Sequence, residues 1–264
     1  MNDIAIQIVN YNTKKYLINC INDIINGLKG CVISYKIHVL DNDSRDDLSD
    51  LANEHADILE LYKSEKNLGF GAGHNFLAKR NESKHILILN PDLKFIEPLT
   101  IKRLYNFIEK ESDNRVAVVG PKLLDDKGSQ HWDHGELNGI WGWFSEKFGG
   151  SHWRNINTIS EVAWVSGAFL LVSRDVFNKV GGFDEGFFLY KEEEDLCLRI
   201  KQEGFRIFYN PQIKVFHFGS VVAAKSEFFD ASDKYFFEKH FKNRGFIILL
   251  LNRLKHIFFN KFLY

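Results

Sequence analysis

The sequence predicts an α/β domain built on a mostly parallel sheet. Short β-branched runs alternate with helical periods over about the first 120 residues. Polar clusters follow the strands: Asn10–Thr13, Asp41–Ser44 and Asn90–Asp92. Ligands in such sheets bind outside the carboxyl ends of the strands, so these clusters predict a nucleotide-type crevice. With 264 residues, 45% apolar and 26% charged, the chain can bury one large core.

Ile4–Val9 is a short β-branched run of the kind a buried strand uses. Thr13 can cap the helix that follows, where Tyr16, Leu17, Cys20, Ile21, Ile24, Ile25 and Leu28 recur at helical spacing. Tyr35–Leu40 is the second strand, and Asp46–His55 the second helix. Ile58–Tyr62 is the third strand, followed by a glycine-rich loop over Asn67–Gly73 and a short helix over Phe76–Arg80. His85–Leu89 is the fourth strand. Asp125–Ser160 holds tryptophans, glycines and histidines without clear periodicity and reads as a loop-rich insertion beside the site. Glu161–Val172 resumes strand character, Glu192–Glu203 is helical, and Ile213–Phe218 is the last strand.

Thirty-four Lys and Arg against 35 Asp and Glu leave a net charge of -1. Overall charge is therefore silent on a polyanionic partner, and no nucleic acid partner is expected. Cys20, Cys31 and Cys197 are too few and too oddly spaced for a disulfide framework or a zinc site. No basic n-region precedes the first strand, so the expectation is a cytoplasmic protein. No apolar run reaches the roughly 18–20 residues of a membrane span. From His240 onward, however, Lys242, Arg244, Arg253, Lys255 and Lys261 accompany Phe246–Leu251 and Ile257–Phe259, with no acid after Glu238. That composition predicts an amphipathic tail lying on the inner face of the cell membrane.

Asp92 follows a buried strand and a proline-fixed turn, where a carboxylate can hold a hard divalent cation against phosphates. Asp41 can accept a hydrogen bond from a base N–H. Asn67–Gly73 lacks the Lys-Ser/Thr of a Walker loop and follows the third strand, which argues against a P-loop or dinucleotide fold. Glu192–Asp195 places four consecutive acids at a helix start, beside the aromatic run Phe187–Tyr190. The helix dipole alone favours acids there, but an apolar wall would also raise a carboxyl pKa toward that of a general base. His217 closes the last strand and can ligate a metal or meet a phosphate.

In order, Val9-Asn-Tyr-Asn12, Leu40–Ser44, Asn67–Gly73, Asn90-Pro-Asp92, Gly182-Phe-Asp184 and Phe187–Arg199 resemble glycosyltransferase family 2 and its GT-A fold, within the bacterial rhamnosyltransferase-like branch. The resemblance covers about residues 3–240. It implies a donor pocket of Asn10, Tyr11, Asn12, Asp41, Asn42, Gly69, Phe70, Gly71, Asn75 and Asn90. Asp41 would read the base, and Asn75 would turn toward the donor. Asp92 corresponds to the last aspartate of the family's metal-binding D-x-D and, with His217, would hold Mg2+ or Mn2+. Glu193 corresponds to the catalytic base, with Glu192 as runner-up. Trp164, Gly167, Tyr190 and Asp195 would lie on the acceptor side, and Trp141, Trp143 and Trp153 could join Trp164 in a sugar platform. Two departures stand out: Asn90 replaces the first acid of D-x-D, and Glu193 replaces an aspartate.

The resemblance thus implies an inverting, metal-dependent transferase acting on a nucleotide-diphosphate sugar. The best-matched donor is dTDP-L-rhamnose, with UDP- and GDP-sugars open, and the basic apolar tail suits a lipid-linked saccharide acceptor in bacterial surface polysaccharide synthesis. Residues 1–239 would form the transferase domain, with nucleotide-sugar-binding (1–120) and acceptor (121–239) halves, and 240–264 the tail. A sugar nucleotidylyltransferase is the enzymatic alternative, opposed by the glycine-free turn after the first strand. A non-catalytic sugar- or nucleotide-binding module is the other, and it has no need of the acid cluster.

Overall fold

A computed structural model describes residues 1–110, 115–130, 132–136, 155–219 and 226–241. In chain order the elements are β1 (Asn2–Asn10), α1 (Lys14–Leu28), β2 (Tyr35–Asn42), α2 (Ser49–Glu54), β3 (Leu59–Ser64), α3 (Phe70–Ala78) and β4 (Ser83–Leu89). Then come β5 (Leu93–Phe95), α4 (Thr100–Lys110), β6 (Val116–Leu124), β7 (His134–Gly135), β8 (Ser160–Glu161), β9 (Trp164–Val165) and β10 (Phe169–Ser173). The described chain closes with α5 (Arg174–Lys179), α6 (Glu192–Gln202), β11 (Arg206–His217) and α7 (Ser226–Phe241).

The main sheet runs β3-β2-β1-β4-β10-β6-β11-β5, with β8 added against β11. Its first half is parallel, as alternation predicts: β2 lies beside β1 and β3, and β1 beside β4. Beyond β4 the sheet is mixed. β10 runs antiparallel to β4 and β6, and β5 antiparallel to β11. These reversals matter for the site. They bring the start of β10 (Phe169 opposite Leu89) and the end of β11 (His217 opposite Leu93) to the edge where β1, β2 and β4 end.

One apolar layer packs α1 and α4 against the sheet; Ile4, Ile6 and Ile8 of β1 meet Leu17, Ile21 and Ile24 of α1 and Leu104 of α4. The other face carries Ile86, Ile88, Leu170 and Val172 against Val176 and Phe177 of α5 and Leu196 and Ile200 of α6. Each such side chain contributes roughly 1.5–3 kcal/mol when fully buried.

Several expectations need correction. The glycine-rich stretch is a loop only as far as Gly69; from Phe70 it is helix α3. Its glycines serve close packing. A Cβ on Gly73 would lie 2.9 Å from Val9 Cγ2, and one on Gly71 2.9 Å from Phe183 Cβ. Thr13 makes no side-chain cap; its hydroxyl donates to Asn10 Oδ1 at 2.7 Å. The stretch 161–172 is broken into β8, β9 and β10, the last two parted by a turn in which Phe169 N–H donates to Ser166 O. The last strand starts at Arg206, and its register slips between Asn210 and Lys214, around the donor-less Pro211. α7 continues through His240 to Phe241. Residues 242–264, with the basic tail, and Trp141, Trp143 and Trp153 lie outside the described residues. Among the described residues no helix is long and apolar enough to cross a membrane.

Candidate active site

The strand-end clusters form one connected framework. Asn10 is buried, and its amide donates to Asp46 Oδ2 at 3.0 Å and Ser44 Oγ at 3.3 Å, so it ties the end of β1 to the loop after β2. Asp41 Oδ1 accepts from Ser44 N–H at 3.1 Å and from the Ser44 hydroxyl. Asp41 Oδ2 lies 3.9 Å from Lys63 Nζ. Asn42 holds the turn before α3: its amide donates to Asn67 Oδ1 at 2.9 Å and Gly69 O at 3.3 Å, and its Oδ1 accepts from Leu68 N–H at 2.9 Å. Tyr11 is half-buried. Asn12 is exposed at φ 57°, and its Oδ1 accepts from Arg45 N–H at 2.9 Å.

A second group gathers where β4 and β11 end. Asp92 Oδ1 lies 3.4 Å from His217 Nε2, and Asn90 Nδ2 lies 3.3 Å from that nitrogen. Antiparallel pairing of β5 with β11 produces this meeting across 125 positions of sequence, from Asp92 to His217. Asp92 O also accepts from Phe218 N–H at 3.0 Å. The donor set suits a divalent cation: one hard carboxylate, one imidazole and an amide carbonyl. Among the described residues no cluster of three or more His, Cys, Asp or Glu could hold a metal by itself. A cation here would therefore take its remaining ligands from a bound diphosphate and water, the usual habit of Mg2+.

The acids of α6 approach from the other layer. Tyr190 and Lys191 both stand in the left-handed region, at φ 73° and 68°, where side chains rarely sit without compensation. On the α3 side, Phe70 N–H donates to Phe188 O at 3.0 Å, and a Cβ on Gly69 would strike that same oxygen. Glu192 is 3% exposed, and its Oε2, like that of Glu193, is buried with no hydrogen-bond partner. Burial, reinforced by the neighbouring Glu193 charge, pushes the Glu192 carboxyl well up. Burial likewise raises Glu193, partly countered by backbone N–H groups of its own residue and Gly167 and by the Lys191 charge. An ideal Cβ on Gly167 would lie 3.6 Å from Glu193 Cβ, and the next residue, Ala168, accepts from Asn90 N–H at 2.9 Å. One short turn thus links Glu193 to the Asn90–Asp92–His217 group.

Three residues expected at the ligand are committed elsewhere. Asn75 does not turn to the crevice: its amide donates to Phe183 O at 2.8 Å and Glu185 Oε1 at 3.1 Å, and its Oδ1 accepts from Phe183 N–H at 2.9 Å. Trp164 is 4% exposed within β9. Asp195 is fully buried; its Oδ2 accepts from Arg199 Nε at 2.8 Å, and its Oδ1 is 2.6 Å from Lys239 Nζ and 2.7 Å from His240 Nε2. Burial would raise this carboxyl, but these cationic and hydrogen-bonding partners bring it below the usual range. Sequence reasoning missed Lys239 and His240. They lie 44 and 45 residues from Asp195, and nothing local in the sequence pointed to that pairing.

Known proteins agree with this architecture. The family model described as Glycosyl transferase family 2 matches residues 5–181. An N-acetylglucosaminyl-diphospho-decaprenol L-rhamnosyltransferase of Mycobacterium tuberculosis is 28% identical over 200 residues, covering 67% of this chain and 64% of its own length. Rhamnosyltransferase WbbL of Escherichia coli is 44% identical over 57 residues, 22% of each chain. The crystal structure of GalNAc-T7 with UDP, GalNAc and Mn2+ superposes with a TM-score of 0.63 at 15% identity, covering 90% of this chain and 50% of that one. This chain thus spans just under two thirds of the mycobacterial relative.

Proposed function

The chain belongs to glycosyl transferase family 2, and on that premise we propose that it transfers a sugar, with inversion, from a nucleotide-diphosphate donor to a saccharide hydroxyl. The carrying observation is the pair of buried, unpartnered carboxylate oxygens on Glu192 and Glu193, with Glu193 one turn away from the Asn90–Asp92–His217 group. An acid kept from water, whose burial the nearby Lys191 charge only partly offsets, is poised to take a proton.

Glu193 would accept the proton of the attacking hydroxyl. Its Gly167 contact would orient the carboxylate, and Tyr190 and Lys191 would hold the first turn of α6 in place. Asp41 and Asn42 would frame the nucleoside: the first by its carboxylate, the second by fixing the turn before α3. Asp92 and His217 would hold Mg2+ or Mn2+ beside the diphosphate. Such a cation supplies charge stabilisation to the departing nucleotide diphosphate. Asn90 stands beside them, its Nδ2 3.3 Å from His217 Nε2.

For the donor we take dTDP-L-rhamnose, and for the acceptor a lipid-linked saccharide in surface polysaccharide synthesis. The names of the mycobacterial and Escherichia coli relatives support the sugar, and the decaprenol in the first supports the lipid. The basic tail beyond Phe241 would keep the enzyme at the membrane that carries such an acceptor. The test is turnover with dTDP-, UDP- and GDP-sugars on a polyprenyl-diphosphate acceptor, with and without chelator. Transfer from dTDP-rhamnose alone, lost with chelator, is expected. Binding of every nucleotide without transfer from any would overturn the reading in favour of a sugar-binding module.

A further inference from the structure

One face of α7 is spent almost wholly on the segment that carries the catalytic acids. Ser232 Oγ donates to Leu189 O at 2.8 Å, and the Tyr235 hydroxyl to Asp184 Oδ2 at 3.2 Å. Lys239 Nζ bridges Asp184 and Asp195, and His240 Nε2 meets Asp195 Oδ1. Phe236 and Phe241 pack with Phe187, while Lys191 Nζ stands 5.5 Å over the Phe229 ring and 6.0 Å over that of Phe236. Positions 229, 232, 236 and 240 follow one helical stripe, with 235 and 239 beside it.

The charges sort in the same way. Of the four consecutive acids, Glu194 takes Lys191 at 2.8 Å, and Asp195 takes Arg199, Lys239 and His240. Glu192 and Glu193 each keep an unpartnered carboxylate oxygen. Resting on the transferase reading, we propose that Lys239 and His240 are positioning residues: acting through Asp195, they fix the first turn of α6 and so aim Glu193 at the acceptor hydroxyl. Asp195 stands two residues after Glu193. Its side chain, fixed from α7, sets the rotation and depth of that turn. A buried carboxylate with one partner removed leaves a costly uncompensated charge, and the turn that carries it is the part that must move.

Full-length Lys239→Met, Lys239→Arg and Tyr235→Phe proteins are compared with wild type. Tyr235→Phe removes a bond to Asp184 but leaves Asp195 untouched. For Lys239→Met the expected result is a kcat at least about tenfold lower with donor KM within about twofold, the pattern of an interaction that serves the transition state. Lys239→Arg restores kcat. Tyr235→Phe lowers thermal stability without that loss. Hydrogen exchange over 187–199 rises in Lys239→Met and not over β1. The exchange readout needs no turnover, so a wild-type enzyme inactive on every donor sinks the transferase reading alone. Wild-type kcat and exchange in Lys239→Met, or an equal kcat loss in Tyr235→Phe at matched stability, overturns the positioning role. If Lys239→Met does not fold, His240→Leu against His240→Gln makes the same comparison.

Discussion

Replacing Glu193 with Gln removes one proton-accepting oxygen and changes almost nothing else. The amide is isosteric, and its carbonyl can still accept from the Gly167 N–H that faces the carboxylate. Loss of a general base typically costs 10²–10⁴-fold, or about 2.7–5.5 kcal/mol at 1.36 kcal/mol per tenfold. Donor affinity should stay within about twofold, because the lost interaction belongs to the transition state. Stability should move the other way. The folded-state pKa of Glu193 is raised above its ordinary 4.5, chiefly by burial, so the folded protein binds this proton more tightly than the unfolded chain. Below the ordinary value both states are protonated and the site costs nothing. As pH rises from there through the raised value, the wild type loses stability and the Gln variant does not. Gln should therefore match wild type near pH 4 and melt higher near pH 7.5. Single-turnover transfer and thermal melts at the two pH values decide the matter. Wild-type kcat, or a variant less stable than wild type at pH 7.5 alone, would refute the assignment; a dead Glu192→Gln beside an active Glu193→Gln would move the base by one residue.

Mn2+ with nucleotide should raise the wild-type melt, and Asp92→Ala should abolish both that rise and metal-dependent transfer while the metal-free melt stays close to wild type; retained Mn2+ stabilisation in the variant would remove Asp92 from the metal site. Gly182→Ala should destabilise the fold by about 1–3 kcal/mol, because a left-handed φ is forced on alanine. Its Cβ would also press to 2.5 Å from Asn75 Oδ1, at φ 73°. Denaturant titration with an unchanged midpoint would contradict that. A chain ending at Phe241 should lose sedimentation with anionic vesicles yet keep the wild-type melt. A chain ending at Glu238 should lose both, since it also deletes the Lys239 and His240 partners of Asp195. Equal vesicle binding by the full chain and the Phe241 chain would refute the membrane role of the tail.

The parallel half of the sheet was legible because each of its strands is continuous in sequence. β1, β2 and β4 each carry a short apolar stretch, broken only by Gln7 in β1 and His38 in β2, and the polar residues at their carboxyl ends mark the crevice. The rest is built from pieces whose partners are remote. β10 joins β4 across about 80 residues and runs backward, and no local period announces that reversal. β11 hides its first half behind Asn210-Pro211, where a proline within a strand run argues against strand. The glycines before and inside α3 read as a loop because glycine usually turns the chain. Here only Gly69 turns it, at φ 84°, while Gly71 and Gly73 admit Phe183 and Val9.

The acid run shows how far local reading of a site can reach. Glu192, Glu193, Glu194 and Asp195 are equivalent in sequence, and the helix dipole favours all of them. What separates them is where counter-charges stand. Lys191 is adjacent and Arg199 is one turn on, so the Glu194 and Asp195 pairings are partly visible from spacing. Lys239 and His240 lie 44 and 45 residues downstream, and only the docking of α7 brings them to Asp195. Once those cations are assigned, no described residue pairs the buried Oε2 of Glu192 or of Glu193, and Lys191 only tempers Glu193 through its charge. The candidate base is thus defined less by its own neighbours in sequence than by the helix that withdraws charge compensation to a residue two positions away.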